Sequence, residues 1–103
     1  MIIDLKLPQK LHDPKYRKKF FTAETSAHIA QQLVALRKRR GKSQHEVAEL
    51  IHSHQSFISR IERADYMNWS FRTLYKIVGM LDARIRITIE PYEDVLHEYG
   101  KEV

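Results

Sequence analysis

The sequence predicts an all-α fold: a compact bundle of five helices, with one short β-strand near the C-terminus and a candidate short strand near the N-terminus. Three patterns predict it. Apolar residues recur three and four apart at Ile29, Leu33 and Leu36, at Val47, Ala48 and Ile51, at Ile58 and Ile61, and at Leu74, Ile77, Val78 and Leu81. That spacing places side chains on one face of a helix. The stretches between them carry helix start and stop signals, such as Ser43 three residues before Glu46, and Gly41 after a basic run. Two further stretches, residues 84–90 and 2–7, alternate with period two, as strands do.

A chain of 103 residues with 43% hydrophobic content forms one domain with a small helical core. No apolar run approaches the roughly 18 residues of a membrane span. The opening MIIDLKLPQK lacks the apolar centre of a signal peptide. There is no cysteine, so neither a disulfide framework nor a thiolate metal site is expected. A cytoplasmic location fits these features. The net charge of +5 and pI of about 9.6 suit nucleic acid or an anionic membrane surface, although many basic domains bind neither. The charge is segregated: Lys15 to Lys19 and Arg37 to Lys42 are densely basic, while the last fourteen residues are acidic.

In chain order, residues 1–21 form an N-terminal arm. Its strand has Ile3, Leu5 and Leu7 on one side and ends at Pro8; a cap helix then opens at Asp13-Pro14, with Asp as N-cap and Pro at the first helical position. Tyr16, Phe20 and Phe21 lie on one side of that helix, either covering the core or offered to a partner. Residues 22–83 hold the main helices. The longest runs from about Thr22 to Arg40 and ends in Arg37-Lys38-Arg39-Arg40, basic residues favoured at a helix C-terminus. Ser43 and Glu46 then frame a capping box. After Arg63 a loop rich in turn formers leads to Ser70, which caps a last helix from Phe71 to Leu81. Residues 84–103 carry the strand, with Ile85, Ile87 and Ile89 on one face, and a polar, acidic tail that is either a frayed helix or disordered. A lone strand needs a neighbour. Residues 2–7, a second copy or another protein could supply it.

Gln44 to Arg63 organises the rest. Two helices this short cannot stand alone, so the others must pack against them. In the second, Ile58 and Ile61 share one face, while Gln55, Ser56 and Arg60 lie on another. Those three are side-chain types that hydrogen-bond to base edges and phosphates. The pattern suits a helix-turn-helix whose second helix enters a DNA major groove.

From about Leu33 to Ala83 the chain resembles the Cro/Xre family of DNA-binding proteins: Arg37 precedes SQHEVAELI, then QSFISRIER, then a helix beginning SFRTLYKI. The resemblance implies a compact five-helix Cro/Xre-like bundle working as a homodimer on a two-fold operator in double-stranded DNA. It implies base contacts from Gln55, Ser56 and Arg60, and backbone contacts from Gln44, Ser43, Lys42, Arg37, Ser59 and Asn68. Gln suits adenine and Arg suits guanine. It also implies a structural ion pair between Arg37 and Glu62. Two positions depart from the family pattern. His52 stands where glycine is usual and would have to accept a positive φ, and Ser53 stands where an apolar residue is usual. Phe57 takes a position that often holds a small polar residue; it either packs or touches a thymine methyl.

The flanks, DPKYRKKFFTAETSAHIAQQL before and LDARIRITIEP after, resemble antitoxins of the HigA type and close solitary regulators. That implies a repressor of its own promoter that neutralises a RelE-like toxin, with a nucleoid-associated location. The alternatives are a solitary or phage-type Xre repressor without a toxin, or a controller protein of a restriction system. The basic charge sits better with the first of these, because a basic toxin would pair more comfortably with an acidic chain. No metal site is expected from His45, His52 and His54, which lack matching carboxylate or thiolate spacing. No cofactor and no enzymatic activity are expected either: there is no H-E-x-x-H, glycine-rich phosphate loop or G-x-S-x-G.

Overall fold

Helix boundaries follow from the capping chemistry. The computed structural model describes residues 6–101, which form α1 (Leu7–Lys10), α2 (Pro14–Arg39), α3 (Gln44–Leu50), α4 (Gln55–Ile61), α5 (Phe71–Met80) and α6 (Tyr92–Lys101). Ser43 Oγ accepts from Glu46 N at 3.0 Å and Glu46 Oε1 accepts from Ser43 N at 2.9 Å, so the capping box of α3 is complete. Ser70 caps α5 by accepting from Thr73 N.

Three helices end with the same pair of backbone bonds. After α2, Gly41 N donates to Lys38 O and Lys42 N to Arg37 O; after α3, His52 N donates to Glu49 O and Ser53 N to Ala48 O. After α5, Asp82 N donates to Gly79 O and Ala83 N to Val78 O. This closure needs one left-handed residue, and Gly41, His52 and Asp82 have φ of 66°, 56° and 54°.

The chain divides into two units, Ala23–Arg86 and Met1–Thr22 with Ile87–Val103. In the first, Leu33, Val47, Ala48, Ile51, Ile58, Ile61, Ile77, Val78 and Leu81 form one buried cluster. Ile29, Leu36, Phe57, Leu74 and Ile85 pack around it. In the second unit α1 packs with α6, Leu11 is completely buried, and Phe20 meets Tyr99 edge-on at 5.8 Å. Arg17 stacks over the Tyr92 ring at 3.8 Å and donates from Nη1 to Leu11 O.

Three sequence expectations are corrected. There is no β-strand among the described residues: 83–90 belong to no regular element and make no ladder. Ile85 is anchored on the core while Ile87 and Ile89 are exposed. Alternation alone does not make a strand; a ladder needs a neighbour, and none is paired with this segment. At the N-terminus, residues 2–5 of the strand expected at 2–7 lie outside the described residues, and Lys6 and Leu7 belong to a turn and to α1. The helices expected at 13–21 and 22–40 are one helix, because nothing at the junction breaks it. Thr22 satisfies its hydroxyl inside the helix by donating to Lys18 O at 2.8 Å. With α1 and with an ordered α6 in the acidic tail, the described residues hold six helices rather than five.

Candidate nucleic-acid interface

Burial of Ile58 and Ile61 fixes the rotation of α4 and leaves Gln55, Ser56, Ser59 and Arg60 exposed. At positions i, i+1, i+4 and i+5 these four form one stripe. Phe57 is half-buried against the core, and the Arg60 guanidinium lies 5.7 Å from the centre of its ring. The packing alternative for Phe57 is the one that the structure shows, and it gives the long Arg60 side chain a surface to rest on.

One carboxylate ties the helices around this stripe together. Glu62 follows α4, and its Oε2 accepts from Arg37 Nε at 2.7 Å. Its Oε1 accepts from Arg37 Nη2 at 2.9 Å and from Gln44 Nε2 at 3.0 Å. Arg37 Nη1 donates to Lys42 O at 3.0 Å. Each nitrogen of Arg37 is therefore engaged, and α2, α3 and α4 meet at a two-pronged ion pair that is largely shielded from solvent. The hydrogen bonds that Arg37 donates to Glu62 raise its pKa further above the ordinary value, outweighing desolvation. Gln44 keeps one amide hydrogen for an outside acceptor.

At the start of α3, Lys42 and Gln44 are half-buried and Ser43 is exposed. The Ser43 oxygen accepts the capping bond from Glu46 N. The same box draws the Glu46 carboxyl below its usual value of 4.5, chiefly through the Ser43 backbone N–H and then its hydroxyl. Asn68 lies exposed in the loop before α5, where its carbonyl accepts from Tyr66 Oη at 3.1 Å. Among the described residues no hydrogen bond joins it to the reading stripe. His45 pairs with Glu49 at 2.7 Å in the open. Among the described residues no group of three or more His, Cys, Asp or Glu could hold a metal ion, and no helix is long and apolar enough to cross a membrane.

Sequence reasoning missed two features. Gln44 is bonded to Glu62, a contact 18 residues apart without a sequence signature. Arg40, counted in the basic run, donates from Nε to Leu81 O at 2.8 Å and from Nη2 to Asp82 O at 3.0 Å. It closes the end of α5. Of the basic run, Lys38, Arg39 and Lys42 are the cations whose charged groups make no bond within the described residues.

No curated protein and no solved structure matches the chain. Residues 33–86, more than half of the 103, match the helix-turn-helix family, and this segment holds the buried cluster, the Glu62 junction and the exposed face of α4. The chain belongs to the Cro/C1-type helix-turn-helix family of DNA-binding transcriptional regulators.

Proposed function

We propose that the chain is a sequence-specific repressor that binds a two-fold operator as a homodimer, and that it is the antitoxin of a HigBA/RelE-like pair repressing its own promoter. The observation that carries the DNA half is the stripe of Gln55, Ser56, Ser59 and Arg60, all exposed on a helix whose other face is buried. Gln55 and Arg60 read base edges, as amide and guanidinium groups do in pairs of hydrogen bonds to adenine and guanine. Ser56 supplies a third base contact, and Ser59 reaches the backbone at the rim. Lys42, Ser43, Gln44 and Asn68 hold phosphates and set the register. Arg37 acts mainly by holding Glu62, since its nitrogens are already engaged. The antitoxin half rests on the resemblance of the flank Asp13-Pro14-Lys15-Tyr16-Arg17 to HigA-type antitoxins.

The test is binding to the DNA upstream of the chain's own reading frame, with co-expression of the adjacent frame. Arg60→Ala should weaken operator binding by roughly 1–3 kcal/mol and erase preference at one base pair. Equal weakening on every sequence would make Arg60 a backbone contact. A co-purifying small toxin is expected; with DNA binding intact and no such partner, the chain is a solitary regulator.

A further inference from the structure

The homodimer above leaves open which surfaces join the copies, and two exposed patches of this chain complement each other. On α5, Phe71 and Tyr75 are 58% and 65% exposed, with ring centres 5.8 Å apart. Arg72 and Lys76 flank them, and the four residues line one open groove of about 480 Å³. Neither cation has an ion pair among the described residues. Neighbouring aromatic rings of this exposure, tilted 30° to each other and edged with cations, are the composition of an interface rather than of a solvated face.

The second patch lies in residues 87–94, ITIEPYED. Ile87 and Ile89 are 63% and 90% exposed. Glu90, Glu93 and Asp94 are exposed too, without an ion pair among the described residues, and this stretch contains no cation. One patch is therefore apolar and basic, and the other apolar and acidic.

We propose that residues 87–94 of one copy cover the Phe71–Tyr75 groove of a second copy, and reciprocally. Reciprocal exchange about a two-fold axis closes at two copies, as a two-fold operator requires. Apolar contact of Ile87 and Ile89 with the rings supplies the burial, and the pairing of Glu90, Glu93 and Asp94 with Arg72 and Lys76 selects the partner. The inference rests on the homodimer reading and specifies it.

The test is sedimentation of the full-length chain in two charge-reversed forms. One carries Arg72→Glu and Lys76→Glu; the other carries Glu90→Lys, Glu93→Lys and Asp94→Lys. The wild type should be a dimer, and each variant alone should dissociate about a hundredfold more readily while keeping its helical circular dichroism. Mixing the variants should restore dimers, because each reversed patch then meets its opposite. A wild-type monomer would overturn both the dimer and its interface. A dimeric wild type whose variants stay dimeric alone, or stay apart when mixed, would overturn this interface and leave the dimer standing.

Discussion

Glu62 holds two donors from two helices with one carboxylate, so it decides the aim of α4 without facing DNA itself. Its geometry is two-pronged and nearly dry, which makes an isolated loss on either side expensive. The resemblance couples Arg37 to Glu62, and they lie 2.7 Å apart. The contribution of Gln44 was not legible, because an amide at a helix start serves equally well in water, on phosphate or on a carboxylate. His52 presents the opposite case, since its place at a position where glycine is usual signals a backbone demand in the sequence itself. At φ 56° it carries a left-handed conformation that costs a side chain roughly 1–2 kcal/mol, against roughly 0.5–1 kcal/mol of extra entropy for glycine. His52→Gly should therefore raise stability by about 0.5–1 kcal/mol in urea unfolding. A lower midpoint would mean that the imidazole contributes a contact that outweighs the backbone cost.

Among the elements, those closed by local signals were legible and those closed by distant partners were not. Ser43 with Glu46, and Gly41 after the basic run, mark α2 and α3 within a residue or two because capping involves neighbours in sequence. Residues 84–90 misled because alternation of Ile85, Ile87 and Ile89 reports an extended chain, while a strand also needs a ladder. The junction near Phe21 misled because its aromatics pack within a unit completed by α6, about 70 residues later. The capping box also makes a pH prediction. The Glu46 carboxyl titrates below its usual 4.5 in the folded chain. Its stabilisation is therefore complete above pH 4.5 and is lost as pH falls through the depressed value. Glu46→Gln keeps an acceptor for Ser43 N but cannot titrate. The variant should be less stable than the wild type near neutrality, and the two unfolding curves should converge in acid. A gap that persists at low pH would show that charge has no part in the cap.

For the whole molecule, the sequence made the DNA-reading segment and its core legible, since periodicity and capping both fall within residues 33–86. That the N-terminal arm and the C-terminal tail fall into one unit was hidden. Leu11, completely buried, shows no periodicity of its own, and α6 looked like a polar tail until its tyrosines met Arg17 and Phe20. Arg40 carries the widest consequence. Five cations stand between Arg37 and Lys42, yet Arg37 is bound to Glu62 and Arg40 to the carbonyls of Leu81 and Asp82. A cation already bonded within the chain displaces fewer condensed ions from a duplex. Affinity should therefore respond to salt as though the run held about three charges rather than five, with a logarithmic slope of about −0.9 for each phosphate neutralised. In a salt titration on random-sequence DNA, Lys42→Ala should flatten the slope by about 0.9 per copy, whereas Arg40→Met should leave it unchanged. Equal flattening by both would mean that Arg40 leaves α5 for the phosphates. The grip of this chain on DNA is then set by which of its charges are already engaged at home, and its pI overstates that grip.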